Sequence, residues 1–272
     1  MKNAIIVMMT LIICLLVVVI AVLLLWNFND KEKPTHIPEA TTKVESAVTP
    51  QNVEIFAADE EMEPQVTIVD KVDKVWGEDP YIDGQTLLVI KNENSYPVRV
   101  NGLDVTYISV QGERQEVKMY SAIPSVLQPG ETGYASSDAT LSFIDFAEDF
   151  TGSEIDQDIS RVENGHTYTK LEAFDIGFGV APSDPGKIIV HGMLANNTDV
   201  NVDGDKIDVV AMLYDNNNKL IGGIDSTLNK SGERLRKGEQ FDFEIENILS
   251  FPADLVTRAY RVDVYAGCEF CN

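Results

Sequence analysis

The chain has 272 residues, 44% of them hydrophobic, which is enough for about two domains with real cores. Its 44 acidic residues against 21 Lys and Arg give a formal charge of −23. That balance excludes nucleic acid, whose phosphates are bound by Lys/Arg clusters, and disfavours anionic lipid headgroups. Acidity suits solubility and attracts divalent cations; the plainer reading is a solvated acidic surface.

The first element is a run of 23 residues, Ala4 to Trp26, interrupted only by Thr10. As a helix it measures about 34 Å, sufficient to cross a ~30 Å hydrocarbon core, with Trp26 at the interface. A cleaved signal peptide has a shorter apolar core and small residues at its cut site, whereas this run ends Leu23-Leu24-Leu25-Trp26-Asn27. Cys14 follows Leu11-Ile12-Ile13, unlike a lipoprotein signal, and reads as an apolar membrane residue. Residues 1–26 are therefore expected to be a transmembrane anchor. Flanking charge is almost balanced, Lys2 against Lys31 and Lys33. The short N-terminal tail and the ease with which long following domains translocate place the body outside the cytoplasm. Beyond the anchor the charge is 20 − 44 = −24.

Residues 27–63 carry Pro34, Pro38 and Pro50 with mixed charge and no period, and Pro64 comes directly after. They read as a disordered tether, about 35 Å end to end as a coil and roughly 120 Å fully extended. Val53-Glu54-Ile55-Phe56 is either a short strand or a docking patch.

The remainder of the chain reads as β. Phe241-Asp242-Phe243-Glu244-Ile245-Glu246 alternates strictly, and Leu103-Asp104-Val105-Thr106-Tyr107 alternates similarly, so each buries one face. Turn signals stand at Asn101-Gly102, Gln111-Gly112, Pro129-Gly130, Asp203-Gly204, Asn216-Asn217-Asn218 and Lys237-Gly238. Short strands spaced by such turns predict an all-β sandwich architecture.

An internal repeat divides the body. Asn92-Glu93-Asn94-Ser95 corresponds to Asn196-Asn197-Thr198, and Leu103–Thr106 to Ile207–Val210. Leu127-Gln128-Pro129-Gly130-Glu131 corresponds to Leu235-Arg236-Lys237-Gly238-Glu239, and Ala173–Phe178 to Ala259–Val264. The expectation is a first sandwich domain over 64–181 with an acidic insertion at 141–165, and a second over 182–272, with Pro182 and Pro185 at the joint.

The second repeat resembles the FxLYD domain family, immunoglobulin-like modules of bacterial cell-envelope proteins. The resemblance rests on Leu194-Ala195-Asn196-Asn197-Thr198, Ala211-Met212-Leu213-Tyr214-Asp215, Leu220-Ile221-Gly222 and Leu235–Glu239 before Phe241. Ala211 stands where the family has Phe. The first repeat is more divergent, with Tyr107 at the Phe position and Ser109, Val110 and Gln111 replacing Leu, Tyr and Asp. The resemblance implies two tandem immunoglobulin-like domains in an envelope accessory protein and carries over no catalytic residue.

Few residues suggest chemistry. Cys268-Glu269-Phe270-Cys271 has redox-type spacing, but no helix comes after it to lower a thiol pKa, so a local disulfide outside the cytoplasm is expected. Half of a zinc site completed by a second chain is the sharper alternative. Asp199, Asn201, Asp203 and Asp205 match the start of a calcium loop, but Val210 occupies the position of its bidentate Glu. A hairpin turn with exposed acids is the simpler reading, so no metal or other cofactor is assigned. His36, His166 and His191 are scattered, and the paired carboxylates of 145–154 read as solvated. No hydrolase, phosphate-loop or metalloprotease motif occurs. The expected function is that of a non-catalytic interaction or scaffolding protein, single-pass in the cell membrane, with a protein or cell-wall partner. The alternative is a calcium- or ligand-binding sensor subunit that acts through a membrane partner.

Overall fold

Two-residue alternation dominates the sequence after residue 63, and the fold is correspondingly all-β, with sandwich-like packing of several sheets. The computed structural model describes residues 63–271 apart from 79, 120, 121, 163–167 and 270, all within one compact unit, Ala58–Asn272. The span 4–26, all but the last residue of the tether, Cys14, His36 and His166 lie outside the described residues. Among the described residues no helix is long and apolar enough to cross a membrane.

Seven strands form the first half: β1 (Thr67–Glu78), β2 (Tyr81–Lys91), β3 (Val98–Ser109), β4 (Arg114–Val117), β5 (Val126–Leu127), β6 (Thr132–Thr140) and β7 (Phe150–Arg161). One sheet runs β1-β2-β6; in the other, β4 and β5 flank one side of β3 and β7 runs along the opposite side. Leu88, Leu103, Val105, Tyr107 and Leu127 fill the core between them.

The second half comprises β8 (Thr169–Val180), β9 (Ile188–Ala195), β10 (Val202–Asp203), β11 (Asp208–Tyr214), β12 (Leu220–Thr227), β13 (Arg234–Leu235), β14 (Gln240–Glu246) and β15 (Arg261–Cys268). The short helix α1 (Ala253–Arg258) precedes β15. Six strands take the order β12-β11-β15-β8-β9-β14, folded over a core that includes Leu194, Leu213, Leu235 and Phe243.

A buried asparagine pins the same turn in each half. Asn92 Nδ2 donates to the carbonyls of Tyr96 and Leu127, both at 2.9 Å, and its Oδ1 accepts from Asn94 N at 2.9 Å. Asn196 repeats this with Val200 O (2.6 Å), Leu235 O (2.9 Å) and Thr198 N (3.0 Å). Gly130 N and Gly238 N each donate to the asparagine's carbonyl at 2.7 Å, and both glycines have φ of 78°, which a side chain would strain. Both asparagines are 0% exposed, and their amides satisfy the buried carbonyls of Leu127 and Leu235.

Three expectations are corrected. Thr169–Val180, assigned to the first domain, is β8 and pairs with β9 and β15, so the halves meet before Thr169 and not at Pro182. About half of the acidic insertion, Phe150–Arg161, is β7, paired with β3 along its length. Its acids occupy alternate positions while Ile155 and Ile159 pack on the core, an alternation hidden by the surrounding charge. Consequently Ala173–Phe178 and Ala259–Val264 are not equivalent: β15 lies against β11 as β7 lies against β3. A fourth difference is local. Asn101-Gly102 makes no turn but sits at a bulge inside β3.

The two halves pack sheet on sheet. A third cluster joins Leu87 and Ile123 to Val210, Met212 and Leu220, and each such buried side chain contributes about 1.5–3 kcal/mol. Along β11, Val209, Ala211 and Leu213 enter the second core while Val210 and Met212 face the first half. Both faces are covered, so this strand reads as a continuous apolar run. Gln85, 0% exposed, fixes the register across the junction: its Nε2 donates to Gly223 O at 2.9 Å and its Oε1 accepts from Gly223 N at 3.1 Å. Tyr134 stacks on Tyr265 with ring centroids 3.6 Å apart, and Trp76 Nε1 donates to Ser250 O at 2.9 Å.

Candidate functional site

Where β6 of the first half crosses β11 and β12 of the second, the sheets diverge and leave a recess of about 400 Å³. β6 contributes Ser136, Ser137 and Asp138 to its lining, β11 contributes Asp208, and β12 contributes Asp225 and Thr227. Met119, Ile123, Tyr134 and Ile248 form apolar wall, and among the described residues Lys118 is the single basic residue of the lining, against three carboxylates.

Each carboxylate lies against packed strands: Asp138 and Asp208 are half-buried, and Asp225 is exposed on one side. Asp138 is half-buried and accepts from Gln85 Nε2 at 2.6 Å. Burial pushes its carboxyl up to about 6; the Gln85 amide and Lys187 oppose this, while Asp225 and Asp83 add to it. Asp225 opens to solvent at the mouth but has dense protein on its other sides, and this loss of hydration raises it to about 6, with Asp208 adding to the rise. Asp208 accepts from Thr227 Oγ1 at 2.8 Å and is raised by burial, with a further push from Glu269. No ion pair reaches any of the three among the described residues. Ser136 is 7% exposed; its Oγ neighbours the Asp225 carboxylate yet makes no hydrogen bond of good geometry.

The residues singled out from sequence lie elsewhere. Asp199 pairs with Lys237, and Asp203 with Arg234 at 2.8 Å and Lys206 at 3.3 Å. Asp203 leads into a 3-10 turn, Gly204–Lys206. With Asn201 and Asp205 they form a charged turn, and among the described residues no three His, Cys, Asp or Glu side chains come together to hold a metal. Cys268 and Cys271 are bonded to each other, Cα atoms 5.6 Å apart, both buried. The ring they close presents Glu269 to the first half, where it pairs with Arg99 at 2.6 Å and accepts from Ser125 Oγ at 2.7 Å. Asp215, in the Leu-Tyr-Asp stretch, closes the β11–β12 turn by accepting from Asn217 N at 2.9 Å and Lys219 N at 3.0 Å.

Asp138, Asp208 and Asp225 give no motif in the sequence because they are dispersed along the chain and meet only when the halves dock. The one local signal is an acid that directly follows the apolar part of a strand, Ile224-Asp225 after Leu220-Ile221. No model of a known protein family matches the chain, and no curated protein matches it.

Proposed function

We propose that this chain is a non-catalytic, membrane-anchored interaction or scaffolding protein of the cell envelope. In this reading residues 4–26 form its anchor, the body stands outside the cytoplasm, and the two halves are tandem immunoglobulin-like domains of the FxLYD kind. The observation that carries it is the use of buried polar groups. Asn92, Asn196, Asp215 and Gln85 all hydrogen-bond backbone and hold turns or the junction in place. Polar side chains that fix strand geometry suit a rigid presenting body whose loops and sheet edges meet a partner. Protease added to cells with opened walls tests the topology: residues beyond 27 are digested if the body is outside, and full protection overturns the proposal.

A further inference from the structure

We propose that one end of the first half binds a neutral, β-linked glycan, with Tyr81 and Phe146 as stacking surfaces and Glu78 as the acceptor for sugar hydroxyls. The inference rests on the reading of the chain as a non-catalytic interaction protein and names the chemistry of one partner.

The three side chains stand abreast. Glu78 ends β1 and pairs with Tyr81, the first residue of β2, across their hairpin. On its other side Glu78 bridges to Phe146. Directly paired residues of neighbouring strands project from the same face, so all three point one way. Strands lie about 4.8 Å apart, which sets the Cα atoms of the two aromatics roughly 10 Å from each other with the carboxylate between them. All three residues are exposed, Tyr81 to 74% and Phe146 to 60%.

Their backbone is fixed although the side chains are bare. Gly77, with φ of 103°, lies so close to Tyr81 that a Cβ would collide with the tyrosine carbonyl, so the hairpin is tightly folded. Phe146 O accepts from Asp149 N at 3.0 Å, and Asp149 O accepts from Val110 N at 2.7 Å. Ile82 and Ile144, close in sequence to the two rings, are buried in the first core and anchor both segments. Rings held on a rigid frame lose little freedom when a ligand arrives.

The chemistry of the row selects the partner. Aromatic faces take the C–H faces of pyranose rings, and an ionised carboxylate accepts from hydroxyls. In a β-linked chain alternate sugars present the same face, so two sugars stack on the aromatics with the sugar between them over Glu78. The formal charge of −23 repels acidic glycans and anionic headgroups, which leaves a neutral chain. A stable protein partner needs about 800 Å² on each side, more than a row of three side chains supplies.

The test is titration of the full chain in polyoxyethylene-ether micelles, which contain no sugar, followed by calorimetry and saturation-transfer NMR. The probes are the β-1,4-linked tetramers of glucose and of N-acetylglucosamine, the α-1,4-linked glucose tetramer, and pentalysine. The expected result is binding of at least one β-linked tetramer, about fivefold or more tighter than the α-linked one. Tyr81→Ala and Phe146→Ala should each weaken binding about fivefold or more, as loss of an aromatic contact does. Glu78→Gln should weaken it about threefold, the loss of one hydrogen bond to a charged group. Phe146→Tyr keeps a ring and should keep the parent affinity. Tyr260→Ala removes an equally exposed aromatic from the second half and should change nothing. All these side chains are exposed, so urea melts should match the parent. No binding of a β-linked tetramer, equal binding of the α-linked one, unchanged affinity in Tyr81→Ala or Phe146→Ala, or tighter binding of pentalysine overturns the proposal. The titration uses purified chain, so its failure leaves the topology standing, and protection from external protease leaves the glycan site standing.

Discussion

The two halves share a strand plan and an asparagine-pinned turn, yet β3 and β11 bury themselves differently. β3 alternates, with Leu103, Val105 and Tyr107 inside and Asp104 and Thr106 partly exposed. Its counterpart β11 is buried on both faces, because the first half covers the side that β3 leaves to water. The second difference is where the first strand of each half meets the last. β15 pairs with β8 by backbone through Thr169–Leu171, whereas in the first half Lys71 of β1 donates to Ser153 of β7 and Val66 N, just before β1, donates to Gln157 Oε1 at 3.2 Å.

The largest test of that comparison concerns the inward face of β14. Phe243→Ala should cost about 3–5 kcal/mol in urea melts, because the ring lies in the second core. Its outward neighbour Glu244→Ala should cost under about 0.5 kcal/mol. Equal losses at the two positions would overturn the strand register, since a one-residue slip exchanges the faces.

Next in size are the matched asparagines. Asn92→Ala and Asn196→Ala each strand one buried carbonyl, of Leu127 or Leu235, and one part-buried carbonyl, and should each cost about 1–3 kcal/mol, the range for unsatisfied buried groups. Similar losses measured by chemical denaturation support equivalence of the two turns; a loss at only one breaks it.

Gln85→Ala should cost about 1–3 kcal/mol by exposing the Gly223 peptide to a dry junction. Because Gln85 belongs to the junction, its loss should separate the unfolding of the two halves; a single unchanged transition in calorimetry would show that the junction does not depend on this amide.

The smallest effect is in pH. Asp138 and Asp225 have folded pKa values of about 6, above the ordinary carboxylate value near 3.9, so the folded state binds their protons more tightly. Their contribution favours folding below about pH 4, falls as pH rises through about 6, and is flat beyond. Asp138→Asn and Asp225→Asn should flatten stability across pH 4–6.5 and raise it at pH 7.5. Asp199, Asp203, Asp215 and Asp242 act oppositely: hydrogen bonds and nearby Lys, Arg or backbone N–H groups hold them below the usual value, so their contribution is lost as pH falls below about 4. An unchanged pH slope in the Asn variants would contradict the dehydrated environment assigned to the recess.

What the sequence determined by itself was local. Two-residue periodicity announced β14 and β3, and Gly130 and Gly238 marked turns that require positive φ. Tertiary structure decided the rest. Nothing in Thr169–Val180 says which half it joins, because strand pairing is made by partners distant in sequence, and its pairing with β15 and β9 moved the boundary. The acidic stretch 150–161 became a strand because β3 offered a free edge, despite a composition that favours solvent. The recess, finally, exists only where the two sheets pack, so Asp138, Asp208 and Asp225 acquire their shared dehydration and mutual repulsion from docking and from no motif.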